Sequence, residues 1–156
     1  MKELMKKRKS RGFTLVELLI VIVIIGILAG SLLLVMGSGT DKANATKIVS
    51  DMRTLKAAAL MYYADNDEWP ITESPLNATG QLADYLDRTP SSTVATYGIL
   101  VGTPASDDVS IEASGITETG VQGRLATMAE SSGLYKSDLV NTYADGDTAA
   151  YMQVSR

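Results

Sequence analysis

The residues here that have chemistry to offer beyond folding are carboxylates. Glu17 stands inside the run Phe13 to Met36, which holds no other ionisable side chain. A carboxylate at the centre of a bilayer costs about 2.5–3.5 kcal/mol on insertion scales, so it needs either an interfacial position or a cationic partner. Near the other end, Asp138, Asp145 and Asp147 could offer a cation such as calcium hard oxygen ligands. Asp-Gly is also the ordinary hairpin-turn signal, so a plain turn at Asp145-Gly146-Asp147 competes with a metal site. The chain has neither histidine nor cysteine, which removes His-based nucleophile activation, the usual zinc sites and disulfide stapling. No convincing acid–base pair remains, and the expectation is a protein that is not an enzyme and has no required cofactor.

Glu17 has to be positioned by the segment around it. Phe13 to Met36 is 24 residues, about 36 Å as a helix, against a hydrocarbon core of roughly 30 Å. The first twelve residues, MKELMKKRKSRG, carry about +5, which leaves about −9 of the overall −4 for everything after Gly12. A basic stub before an apolar span stays in the cytoplasm, so the acidic remainder is expected to be translocated as the head of a single-pass protein. An acidic body without Lys/Arg patches argues against direct nucleic-acid binding.

From the span alone, several readings compete. A cleaved secretory signal is suggested by the basic start and by the small residues of Leu28–Ser31, LAGS, but apolar residues continue through Val35. An uncleaved anchor would carry an extracytoplasmic ligand-binding domain that does not polymerise. A buried core helix fails on length and on the missing polar face.

Residues 41–64 read as an amphipathic helix. Ile48, Met52, Leu55, Ala59 and Tyr62 recur at spacings of four and three and form one stripe, which should lie against a sheet. Lys47, Ser50, Asp51, Arg53, Thr54 and Lys56 fall mostly off it. Between span and stripe, Gly37–Thr40 (GSGT) predicts a hinge or break. Asn66, Asp67 and Pro70 predict the helix end.

The second half is expected to supply two to four antiparallel strands. TVATYGILVG, DDVSIEAS and TAAYMQVS are β-like, GQLADYLDRTP suggests a short helix with Leu82, Tyr85 and Leu86 on one face, and GVQGRLATMAESSG suggests a helix stopped by Gly133, with Val121, Leu125 and Met128 at helical spacing. Tyr62, Tyr63 and Trp69 raise electron conduction through stacked aromatics, but with 6% aromatic residues core packing is the better account.

The stretch RGFTLVELLIVIVIIGILAG resembles the leader and N-terminal helix of the type IV filament family, the type IV pilins and the pseudopilins of type II secretion. The run KANATKIVSDMRTLKAAALMYYADNDEWPITESPL is similar to the continuation of that helix, so the resemblance covers about Arg11 to Leu76. It implies an α+β, pilin-like fold: a basic leader over 1–12, a transmembrane or filament-core helix over 13–36, an amphipathic continuation over 37–64, and a head with an antiparallel sheet over 65–156. It implies cleavage between Gly12 and Phe13 by a prepilin peptidase and N-methylation of Phe13. Phe13 and Glu17 would act in assembly, the carboxylate meeting a neighbour's terminal amine. The implied partners are further copies, other pilins or pseudopilins, an inner-membrane assembly platform and, before assembly, lipid. The implied location is the cytoplasmic membrane, then a periplasmic or cell-surface filament. Three departures stand out: no proline near Leu34, no cysteine pair, and no Asp-Pro-Trp-Gly-like segment of the kind that accompanies calcium in major pseudopilins.

Overall fold

A single helix accounts for a third of the chain. The computed structural model describes residues 12–76, 80–103 and 106–155; the basic leader, apart from Gly12, lies outside the described residues. Helix α1 runs Leu15–Asn66, 52 residues without a proline. The break expected at Gly37–Thr40 does not occur, because the helical backbone continues through it. Each glycine costs a helix about 1 kcal/mol relative to alanine, but keeps its N–H, so helical hydrogen bonding survives where a proline would stop it. α1 ends as expected: Asp67 turns left-handed at φ 56, its N–H donates to the Tyr63 carbonyl at 2.8 Å, and the Asn66 side-chain amide donates to the Tyr62 carbonyl at 2.9 Å.

By contacts the chain divides into a unit ending at Gly37 and a second from Ser38 onward. In the first, the side chains from Phe13 to Leu32 are exposed. Leu15–Leu32 is long and apolar enough to cross a membrane.

In the second unit, the predicted stripe is the buried one: Ile48, Met52, Leu55, Ala59 and Tyr62 all lie in the core, joined by Ala45, Val49 and Ala58. Strands β1 (Thr96–Thr103), β2 (Ser106–Ser114) and β3 (Ala150–Ser155) form an antiparallel sheet in the order β1-β2-β3. Ile99 pairs with Ile111 and Ile111 with Met152, and Tyr97 pairs with Ala113 and Ala113 with Ala150. With period two, these rows share the buried face and pack in one core with the α1 stripe. Helix α2 (Thr119–Ser132) buries Val121, Leu125 and Ala129 and stops at Gly133, which takes φ 66. The segment read as a short helix forms only a 3-10 turn, Ala83–Tyr85, too short to nucleate α-helix. It still places Leu82 in the core and Tyr85 edge-on against Tyr62, with ring centroids 5.6 Å apart.

One expectation about α1 needs correcting. Asp51, assigned off the stripe, is buried at its margin. Its Oδ2 accepts from the Tyr97 hydroxyl at 2.9 Å and pairs with the Lys47 ammonium at 2.7 Å, while Lys47 also donates to the Ser91 carbonyl. Burial, reinforced by the Asp51 carboxylate, raises the Tyr97 hydroxyl pKa well above the usual phenol range.

Both outer strands of the sheet are capped along their free edges. Glu73 exchanges two backbone hydrogen bonds with Ile99 of β1 (2.9 and 2.8 Å), and Leu76 N–H donates to the Tyr97 carbonyl at 2.8 Å. On the other side, Tyr135 exchanges two with Tyr151 of β3 (2.8 and 2.9 Å), and Lys56 donates to the Gln153 carbonyl at 2.7 Å.

Candidate functional site

The start of α1 is a capping box. Thr14 precedes the first helical turn, and its N–H and hydroxyl both donate to Glu17 Oε2 at 2.9 Å. The Glu17 N–H donates back to Thr14 Oγ1 at 3.2 Å. Two helix-end donors that the backbone cannot satisfy are met reciprocally, and the carboxylate sits at the positive end of the helix dipole. The signal for this is in the sequence: Thr14-Leu15-Val16-Glu17 has the T-x-x-E spacing of a capping box. Glu17 Oε1 accepts no hydrogen bond among the described residues.

Immediately before the box, Gly12 and Phe13 are non-helical and exposed, Phe13 at 89%. A Cβ added at Gly12 would meet nothing within 4 Å among the described residues, so no packing in this fold asks for glycine there. The same is true of Gly26 and Gly30, four residues apart on the apolar part of α1. Phe13, Leu18, Ile20 and Val21 surround Glu17 with an open, almost wholly apolar hollow.

The side chains of the acidic loop are engaged separately. Asp138 Oδ1 accepts from the N–H groups of Val140 (3.0 Å) and Asn141 (2.9 Å), and Oδ2 accepts from the Asn141 side-chain amide at 2.6 Å. These bonds hold its carboxyl pKa below the usual range. Asp147 Oδ2 accepts from Ala144 N–H at 2.8 Å and pairs with Lys136 at 3.3 Å, while Asp145 lies beside Gly123. Among the described residues no three acidic groups gather as ligands. An ammonium on Asp147 and a self-satisfied Asp138 do not fit a calcium ion, which requires six to eight oxygens. The aromatic residues are likewise engaged locally: Tyr63 stacks on Trp69 with centroids 4.3 Å apart, docking the loop after α1.

Comparison with known proteins fits this N-terminal geometry. The prokaryotic N-terminal methylation motif matches residues 7–33, and the PilW C-terminal family matches residues 39–98. The type II secretion system core protein G of Klebsiella michiganensis is 45% identical over 74 residues, covering 47% of this chain and 52% of that protein. Its counterpart in Escherichia coli K12 is 43% identical over 70 residues, covering 45% of this chain and 48% of that protein. The chain thus spans about half the length of the curated relatives it matches. In fold it is similar to the major type IV pilin PilA1 from Clostridium difficile, with a TM-score of 0.57 at 20% identity, covering 76% of this chain and 99% of that one. The chain thus carries the prokaryotic N-terminal methylation motif over Gly12, Phe13 and Glu17, and its long helix with a three-stranded antiparallel sheet is a pilin-like α+β fold.

Proposed function

We propose that the chain is a non-enzymatic subunit of a type II secretion pseudopilus or a closely related filament, made as a membrane precursor and assembled through α1. Residues 1–12 are the leader, removed by a prepilin peptidase. Hydrolysis between Gly12 and Phe13 leaves a carboxylate on Gly12 and an amine on Phe13, which then takes a methyl group from a sulfonium-type methyl donor, releasing the thioether and a proton. The observation that carries this reading is the junction itself: an exposed, non-helical Gly12–Phe13 bond directly ahead of a capped, fully apolar helix face. The core protein G relatives favour the secretion filament over a surface pilus.

In the membrane, Leu18, Ile20, Val23 and Ile25 face lipid; in the filament they face other helices, so extraction moves them from one apolar medium to another. Glu17 keeps Oε2 in its own capping box and offers Oε1 to the cationic Phe13 amine of a neighbour. Such a buried pair adds little net stability, yet an unpaired charge is costly, so it selects one register. The chain is processed with its N-terminus in the cytoplasm and its head outside, and joins other subunits at an inner-membrane platform.

Mass spectrometry of the mature N-terminus tests the reading. An N-methylated Phe13 is expected; an intact Met1, or a cut near Ser31, overturns it. Glu17→Ala subunits are expected to be cleaved normally and to assemble slowly, and assembly at the parent rate removes the register role.

A further inference from the structure

The helical face opposite the core is also apolar near the end of α1. Ala57, Leu60, Met61 and Ala64 recur at spacings of three, one and three, and all are exposed, Leu60 at 44% and Met61 at 55%. At 100° per residue they centre about 160° from Ile48, Met52, Leu55 and Ala59, so the fold that covers one stripe leaves the other open. Singly exposed apolar residues are ordinary, but four on one line are a face.

The ends of this stripe carry opposite, unspent charges. Arg53, one turn before Ala57, makes no ion pair or hydrogen bond among the described residues. Asp65, Asp67 and Glu68, just past Ala64, are exposed and make no side-chain contact of that kind among the described residues either. Within one chain the two groups cannot meet: Arg53 and Asp65 are twelve residues apart on a rigid helix, about 18 Å. Two copies lying side by side with the same polarity, offset along α1, bring them together.

We infer that this outward stripe of the head is a second subunit interface, occupied by another copy of this chain, with Arg53 of one copy facing the Asp65–Glu68 acids of the next. The inference rests on the filament reading above. The occupant follows from charge: the chain after Gly12 carries about −9, so a second copy presents chiefly acid, and stacked copies need such a cation to offset their repulsion. The apolar stripe supplies contact area and the charged ends supply register.

The chain has no cysteine, so Leu60→Cys gives a single thiol. Full-length, processed subunits bearing it are labelled with a membrane-impermeant maleimide before assembly and in purified filaments. Labelling at least tenfold slower in filaments is expected; equal rates overturn the interface while leaving the filament reading intact. Equal protection in unassembled membrane subunits assigns the stripe to lipid or another protein and also overturns it. In a second arm, Arg53→Asp is expected to cut filament yield at least tenfold without changing cleavage at Gly12 or head melting. Adding Asp65→Arg and Asp67→Arg is expected to restore the yield, and failure to do so removes the charge pairing. If the parent chain itself forms no filaments, the filament reading falls and this inference falls with it, a result distinct from the others.

Discussion

Replacing Tyr97 by phenylalanine tests how the head is held to its helix. The hydroxyl reaches Asp51 Oδ2 at 2.9 Å from β1, and both residues are buried. A hydrogen bond to a charged acceptor is worth about 1.5–3 kcal/mol. Lys47 remains on the same oxygen at 2.7 Å after the change, so the carboxylate is not orphaned. Tyr97→Phe should therefore fall at the lower figure, about 1.5 kcal/mol. Asp51→Ala instead removes the charged acceptor and leaves the hydroxyl only the Ser92 side chain, at a cost of about 1–3 kcal/mol. Once Asp51 is gone, Tyr97→Phe should cost less, because the hydroxyl it deletes then keeps only its contact with Ser92. The coupling energy should then reach about 1 kcal/mol or more. Urea unfolding of the processed chain in detergent, followed by the single Trp69, measures all four corners of the cycle. Additive single mutants, or a Tyr97→Phe chain within about 0.5 kcal/mol of the parent, would refute the reasoning.

High pH should act through the same contact. Tyr97 is raised above the phenol range by burial first and then by Asp51, and Tyr143 is raised to about 12 by burial and then by Asp147 and Asp145. Above the unfolded value near 10 the folded state holds more protons, so stability should fall as pH climbs from about 10 toward 12, and a flat profile there excludes the linkage. Gly98→Ala puts a methyl 2.8 Å from Ser74 Cβ and 3.1 Å from the Glu73 carbonyl. It should cost about 1–3 kcal/mol and speed amide exchange at Ile99, which is bonded to Glu73; unchanged exchange would locate the strain elsewhere. Calcium and chelator should leave head melting alike, because Lys136 and Ala144 already occupy Asp147. A calcium-dependent rise above about 4 °C, equivalent to roughly 1 kcal/mol in a domain this size, contradicts that.

What the sequence made legible follows from the range of each interaction. The stripe from Ile48 to Tyr62, the stop at Asn66 and Asp67, the three strands and the Gly133 cap are local patterns, and each appears where its period or turn chemistry puts it. The Thr14–Glu17 box is equally local, a contact across a spacing of three residues. Gly37–Thr40 misled because glycine lowers helix propensity without removing a hydrogen bond, and length outweighs it. Asp51 lies at a margin where helical angle alone does not decide burial; a tyrosine 46 residues away decides it. The pairing of Glu73 with Ile99 and of Tyr135 with Tyr151 is also non-local, with no signature in either segment. The outward stripe was readable as a period, but its exposure only became meaningful once the core side was known.

Those two edge contacts bear on how subunits wait. On the proposed reading, a precursor pool would crowd identical heads into a thin layer beside the bilayer, where any bare strand would zip to its twin and seed cross-β aggregation. Here the Glu73 segment occupies the outer side of β1, and Tyr135 with Lys56 occupies that of β3. The heads can therefore be stored at high density without fusing. Under the filament reading proposed above, contact between subunits is then left to helix faces and charges rather than to strand edges.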